Sequence, residues 1–218
     1  MSSFFPDGSS FAISKPFGLA KAISAISNAN PAVATTAAPP AAGTMVVLTS
    51  GWDDLENLVA RAADPTANSF EIEGVDTSDA VEYPAGQGAG SFLAVADWTT
   101  LDQITGVSQS GGDQQYFQWS YVNDKRRRTF QRPTNKNPQT MTFNMDYDPD
   151  KPWYPALVAA DRQGEPVVLR VILPNKYALY YLVYPSFNET PTLNSKQNMQ
   201  NVASFALIGP PSRYQEAA

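Results

Sequence analysis

The chain has 218 residues and a formal net charge of −6, and it contains neither histidine nor cysteine. Without these two residue types, Ser-His-Asp and Cys-His catalysis, disulfides and thiolate metal sites are excluded. No apolar run reaches the roughly 18 residues of a membrane-spanning helix, so we expect no membrane insertion. We therefore predict a protein that is not an enzyme and that binds no cofactor or metal.

The charges are divided between the two parts of the chain. Residues 1–123 carry 13 acids and 3 bases, a net charge of −10, whereas residues 124–218 carry 8 acids and 12 bases, a net charge of +4. This division predicts complementary faces that meet when copies of the chain associate. Solvated charge without a partner is the alternative that the division leaves open.

Residues 1–43 are rich in Ala, Ser, Pro and Thr, which predicts an arm that is flexible or extended on its own. Four aromatic residues in this arm could anchor it on a neighbouring subunit or fold back on its own chain: Phe4, Phe5, Phe11 and Phe17. Residues 44–85 predict a strand–helix–strand extension. Its helix is expected over 52–62, where apolar residues recur at spacings of three and four and Ser50 precedes as N-cap.

Strands are predicted over 91–96, 103–108 and the aromatic segment 115–122. A basic group then follows, and we assign it to a contact between subunits or between rings: Lys125, Arg126, Arg127, Arg128, Arg132 and Lys136. Aromatic residues next to bases could also bind nucleic acid by stacking and phosphate contacts, or the loop could simply be solvated. We favour the subunit contact, because the isoelectric point is about 4.6 and the patch is one loop.

The last third is the most ordered in pattern. Residues 139–147 alternate apolar and polar like a half-buried strand, and a helix is expected between Pro152 and Gly164. A hairpin over 166–184, a closing strand over 198–208 and a short tail, residues 215–218, follow. The whole predicts a mainly β chain: an antiparallel β-sandwich or barrel over residues 86–214 with one flanking helix, plus the N-terminal extension.

Acids at alternate positions precede that helix, at Asp146, Asp148 and Asp150. They begin like a calcium-binding loop, but Lys151 and Leu157 occupy the positions that require Gly and Glu. We therefore predict that these acids cap the helix.

The order of elements over residues 86–214 resembles the tail tube proteins of long-tailed, non-contractile bacteriophages, the lambda-like tail tube family. The likeness rests on a long charged loop at 109–138, an alternating strand, one helix at 153–163, a hairpin and a closing strand. The ending at residues 208–211, Ile-Gly-Pro-Pro, is similar to the family's as well. The first 85 residues have no clear counterpart in the smallest members of that family, and the loop is more basic here.

The resemblance implies a structural protein of the virion tail, made in the host bacterial cytoplasm. It implies six-membered rings that stack into a tube, with the long loop reaching the adjacent ring. Its implied partners are further copies of the chain, other tail proteins (initiator or baseplate, tape measure, terminator) and double-stranded DNA that passes through without sequence recognition. Alternatives are a β-sandwich module that binds a glycan or host surface, a secretion-system tube protein and an unusual carboxylate enzyme.

Overall fold

The structure, a computed structural model, describes residues 7–193, 195 and 198–216. Its strands in chain order are β1 (Ser10–Ser14), β2 (Lys21–Ile23), β3 (Ala25–Ile26), β4 (Ala32–Thr35), β5 (Met45–Ser50), β6 (Val59–Ala63), β7 (Ser69–Ile72), β8 (Gly90–Ala94), β9 (Trp98–Leu101), β10 (Ile104–Ser110), β11 (Gln114–Ser120), β12 (Thr129–Lys136), β13 (Thr140–Asp146), β14 (Val167–Ile172), β15 (Tyr177–Thr192), β16 (Gln200–Leu207) and β17 (Ser212–Gln215). One α-helix, α1 (Trp153–Gln163), and a 3-10 turn (Asp53–Leu55) complete the described elements. In this part of the chain no helix is long and apolar enough to cross a membrane.

The larger sheet is antiparallel, with the strand order β10-β13-β16-β15-β14-β1-β9, and β17 pairs with the first part of β15. Its apolar face packs under α1, where Trp153 and Leu157 are fully buried against the sheet. Strand β13, the second in this order, alternates strictly: Met141, Phe143 and Met145 are buried in this core, whereas the residues between them are only partly buried. The predicted alternation over 139–147 is thereby confirmed.

The smaller sheet has the order β2-β8-β5-β6-β7-β4-β3. Only Ser24 separates β2 from β3, and its backbone N–H donates to the Thr35 carbonyl oxygen at 2.9 Å. The two ends of the order therefore meet in one bent strand, and the sheet forms a nearly closed barrel around Phe70 and Phe92. Closure leaves few unpaired strand edges in this part of the molecule.

A third apolar cluster joins the two sheets, with Val47 and Val59 from the smaller sheet against Tyr180 and Tyr214 from the larger. Beside it, Arg61 makes a two-pronged ion pair with Glu73, both N–O distances being 2.5 Å. The guanidinium of Arg61 lies 4.7 Å from the centre of the Tyr214 ring. The hydrogen bond from Arg61 holds the pKa of Glu73 below its usual value.

The mainly β class with antiparallel sheets and one flanking helix is confirmed. The predicted helix over 153–163 is present and ends at Gly164, whose φ of 65° is the left-handed conformation that favours glycine at a helix C-terminus. The predicted hairpin corresponds to β14 and β15, although β15 continues to Thr192, and the closing strand is β16.

The predicted helix over 52–62 is wrong. The segment makes one 3-10 turn, leaves it at Asn57 with a φ of 62°, and then forms the strand β6. Strand β6 lies in the barrel wall, hydrogen-bonded to β5 on one side and to β7 on the other. This pairing overrides the helical spacing of its apolar residues. The side chains of Ala60 and Ala62 are both buried, as a strand with one buried face requires.

The prediction that the three acids cap α1 is also wrong. The N-cap is Pro152, and no side chain bonds to the first turn of the helix. Asp148 instead accepts a hydrogen bond from the side chain of Gln103 at 3.1 Å, and Asp146 accepts one from Asn198 at 3.2 Å. These acids connect loops at one end of the larger sheet.

Residues of the predicted arm and extension lie in both sheets: β1 pairs with β9 and β14, and β2, β3 and β4 belong to the barrel. The expected boundaries at residues 43 and 85 fall between strands of that barrel. The division into separate arm, extension and domain, and the flexible or extended state of residues 1–43 on their own, stay predictions.

Candidate functional site

The basic residues of the sequence analysis lie on a two-stranded hairpin formed by β11, β12 and their connection, here called the distal hairpin (residues 114–136). It continues the ribbon of β10 and β13 beyond a joint at Gly111 and Gly112. A Cβ atom at Gly111 would lie 1.9 Å from the carbonyl oxygen of Pro138, and the φ of Gly111 is 82°. Only glycine fits both conditions, so the joint fixes how the hairpin leaves the sheet.

The segment expected as a long loop at 109–138 is therefore mostly strand. β11 and β12 pack principally against each other, and each forms a two-stranded sheet with the other alone. A two-stranded hairpin by itself is marginally stable in water.

One face of the distal hairpin is aromatic. The rings of Phe117 and Trp119 stack with centroids 6.1 Å apart, and Trp119 stacks on Phe130 across the strands at 5.7 Å. Tyr121 meets the edge of Phe130 at 5.7 Å. This aromatic face (Phe117, Trp119, Tyr121 and Phe130) is open to solvent at Phe117 and Tyr121, which are 62% and 59% exposed, whereas Trp119 and Phe130 are partly buried.

The opposite face of the hairpin differs in chemistry. Pairing places Tyr116 opposite Pro133, Gln118 opposite Gln131, and Ser120 opposite Thr129. These residues are exposed, and most are polar. The alternation of the strands thus sorts the hairpin into one aromatic face and one mainly polar face.

The hairpin tip, residues 121–128, is ordered by Asp124. Its carboxylate accepts the backbone N–H of Arg126 at 2.9 Å and the Nε of Arg128 at 2.8 Å. The hydrogen bond from Arg128 is the main reason that the pKa of Asp124 is lowered. The guanidinium of Arg128 also lies 5.6 Å from the centre of the Phe130 ring, so this residue serves the hairpin itself.

The other predicted contact residues extend from the hairpin. Lys125, Arg126 and Arg127 are exposed at the tip, and none of the ion pairs found between described residues includes them. Arg132 lies opposite Phe117 on the aromatic face, and Lys136 lies opposite Gln114 at the base. The structure thus gathers the six bases on one projecting element, but their contact with another subunit stays a prediction.

The predicted arm anchors that the structure describes, Phe11 and Phe17, lie away from the distal hairpin. Phe11 packs edge-on against Phe143 at 5.1 Å, and Phe17 packs against the cluster between the two sheets. Both residues contact their own chain, and their role as anchors on a neighbouring subunit stays a prediction. Phe4 and Phe5 lie outside the described residues.

The aromatic segment was predicted as a strand and a possible stacking surface, but its division into one aromatic and one polar face was not, although the signal is in the sequence. Phe117, Trp119 and Tyr121 recur at a spacing of two, which puts them on one side of a strand. The contribution of Phe130 depends on strand register, and the spacing alone does not give it. Among the described residues, no group of three or more acidic side chains is arranged to hold a metal ion.

A family model described as phage tail tube protein, TTP, matches residues 50–216. The chain belongs to the phage tail tube protein family. The predicted family is thereby confirmed, and so are the structural, non-enzymatic class of the protein and its location in the virion tail. No curated protein matches the chain.

Two solved structures are similar to this tail tube protein in part. One, from the virion of a native gene transfer agent particle, is 10% identical with a TM-score of 0.41, and the match covers 54% of this chain and 88% of the other. The second, from the tail of an empty gene transfer agent particle refined with C6 symmetry, is 9% identical with a TM-score of 0.41, covering 56% and 88%.

Proposed function

We propose that this tail tube protein self-associates into six-membered rings, and that stacked rings form the conduit through which DNA leaves the virion. The observation that carries the proposal is the distal hairpin, with its exposed aromatic face. Large exposed apolar patches rimmed by charge mark interaction surfaces. A second copy of the chain that covers this face would supply the packing that the hairpin lacks within its own chain.

Charge supports the passage of DNA. The chain has a net charge of −6 and an isoelectric point of about 4.6. An acidic inner wall repels phosphates, whereas each basic contact would add salt-dependent grip on the DNA. In a working conduit the bases of the distal hairpin therefore face protein. The remaining proposed partners are an initiator or baseplate protein, a tape measure protein and a terminator at the tube ends.

Negative-stain electron microscopy of the purified chain over a concentration series tests this proposal. We expect hollow rings or tubes above a critical concentration, with six-fold symmetry in end-on views. Dispersed monomers at every concentration, also after addition of a tail initiator complex, would contradict it.

A pair of charge-reversal variants then tests the role of the hairpin. Arg126→Glu with Arg127→Glu should prevent tube growth and leave the circular dichroism spectrum of the monomer unchanged. The matched control, Lys151→Glu with Lys176→Glu, changes the net charge equally but lies outside the hairpin. If the hairpin variant forms normal tubes, the charged hairpin tip does not contribute to the assembly contact. If both variants fail to form tubes, the change in net charge is the cause.

One observation favours a second candidate function. Stacked aromatic rings such as the exposed Phe117 and the partly buried Trp119 also form the platforms on which sugars bind. A module that recognises a glycan or host surface would remain a small closed oligomer and bind cells saturably. Trp119→Ala would abolish that binding and leave the small closed oligomer intact.

A further inference from the structure

An acidic cleft lies on the barrel, between the 3-10 turn and the segment before β8. The cleft is defined by the carboxylates of Asp53, Asp54 and Glu82 over a floor of Trp52 and Tyr83. The floor is rigid, because the two rings pack edge-to-face at 5.3 Å and Trp52 Nε1 donates to the carbonyl oxygen of Pro84 at 3.0 Å.

The charge of this cleft is not balanced within the chain. None of the ion pairs between described residues includes one of its three acids. The nearby carboxylate of Asp54 is the main reason that the pKa of Glu82 is raised, which is the signature of like charges held close together. A cationic partner would relieve this repulsion.

The rim of the cleft adds an apolar feature. Val81 precedes Glu82 and is 91% exposed, although it is a large aliphatic side chain. Its backbone N–H donates to the carboxylate of Asp79 at 2.8 Å, which fixes the turn that presents it. The cleft therefore offers acids and one exposed aliphatic residue side by side.

The hairpin tip has the complementary composition. Lys125, Arg126 and Arg127 are exposed and unpaired among the described ion pairs, and Val122 beside them is fully exposed. No ion pair found in the described chain joins the tip to the cleft. Two independent properties, charge of opposite sign and exposed aliphatic surface, thus match between surfaces that remain apart within one chain.

We propose that the hairpin tip of one subunit binds in the acidic cleft of a second copy of this chain. This inference rests on the proposed self-association and names the surface that receives the hairpin. Opposite charges steer such a contact and fix its register, and the neighbouring aliphatic residues are removed from water together. DNA is not a suitable occupant of the cleft, since the three carboxylates repel phosphates.

A charge-exchange experiment tests the pairing by measuring the critical concentration for assembly in a sedimentation assay. Arg126→Glu with Arg127→Glu should raise the critical concentration at least about tenfold, because like charges then face each other. Asp54→Lys with Glu82→Lys should raise the critical concentration by a similar factor for the same reason. The four substitutions combined should restore assembly to within about threefold of the unmodified chain.

A matched control keeps the same net charge. Combining the hairpin reversal with Asp150→Lys and Glu165→Lys restores the net charge at exposed acids outside the cleft, and we expect no rescue. If reversal in the cleft disturbs folding by circular dichroism, Asp54→Asn with Glu82→Gln replaces it, and this milder variant should still raise the critical concentration severalfold.

Crosslinking provides a second readout, because the unmodified chain has no cysteine. Arg126→Cys with Glu82→Cys should form covalent ladders with a short bis-maleimide in assembled tubes, whereas Arg126→Cys with Glu165→Cys should not. If unmodified chains form tubes but neither rescue nor selective ladders appear, this inference is overturned and the proposed function stands. If unmodified chains form no tubes, both are overturned.

Discussion

The larger sheet and the distal hairpin use aromatic residues in opposite ways. In the core between the larger sheet and its helix, Trp153 of α1 and Phe143 and Phe205 of the sheet are fully buried. In the hairpin, Phe117 and Tyr121 are more than half exposed, although each packs on an aromatic neighbour, Phe117 stacked on Trp119 and Tyr121 edge-on to Phe130. The sheet completes its packing within one chain, whereas the hairpin presents a surface that a second chain can cover.

The largest expected effect is on the buried side of this comparison. Trp153→Ala should lower the free energy of unfolding by about 3–5 kcal/mol, because it removes the largest fully buried side chain and leaves a cavity under α1. Urea denaturation followed by circular dichroism measures the change. A loss below about 1 kcal/mol would show that α1 contributes little to the core.

The joint between the two regions comes next. Gly111→Ala should lower the free energy of unfolding by about 1–3 kcal/mol. The new methyl group would clash with the Pro138 carbonyl oxygen, and the left-handed backbone conformation is strained for alanine. Gly43→Ala is the matched control, since Gly43 has a similar φ of 81° but no atom within 4 Å of the added Cβ. Equal losses in both variants, measured by urea denaturation, would mean that the close approach at the joint has no effect.

The ion pair at the junction of the two sheets should have a smaller and pH-dependent effect. Glu73→Gln should cost about 1 kcal/mol at pH 7, a value that allows for the partial exposure of the pair. The pKa of Glu73 is lowered in the folded state, so its stabilisation is present above the unfolded pKa of about 4.3 and is lost as the pH falls through the folded value. The difference in the free energy of unfolding between the unmodified protein and Glu73→Gln should therefore become smaller below about pH 4.3, as measured by urea denaturation at several pH values. A difference that does not change with pH would argue against a stabilising ion pair.

The smallest effect on folding is expected in the hairpin. Trp119→Ala removes stacking on Phe117 and Phe130 but no buried core, so the monomer should lose no more than about 0.5–1 kcal/mol. The same urea measurement applies. A loss of stability as large as that of Trp153→Ala would show that the hairpin is part of the cooperatively folded core, which would contradict the difference drawn here between the hairpin and the larger sheet.

The sequence predicted the elements whose partners are local or whose burial is complete within the chain. The alternation of β13 and the start and end of α1 follow from residue spacing, Pro152 and Gly164. It failed at residues 52–62, because the apolar residues of β6 fit a helical spacing and only pairing with β5 and β7 makes the segment a strand.

The candidate site was predicted only in part for a related reason. Alternating aromatic residues predict a strand with one apolar face. The pattern does not indicate whether the layer that covers this face belongs to the same chain or to another. The position of Phe130 across from Trp119 and the anchoring of the tip by Asp124 depend on register and turn geometry. These are tertiary properties, and the spacing of residues does not contain them.

The most direct measurement is the critical concentration for tube formation of Trp119→Ala beside that of Tyr116→Ala, a matched aromatic residue on the opposite face of β11. If the aromatic face is the assembly surface, Trp119→Ala should raise the critical concentration by about tenfold or more, in the manner of an interface hot spot, while its monomer stays folded. Tyr116→Ala should have a clearly smaller effect. Assembly of Trp119→Ala at the concentration of the unmodified protein would contradict the account.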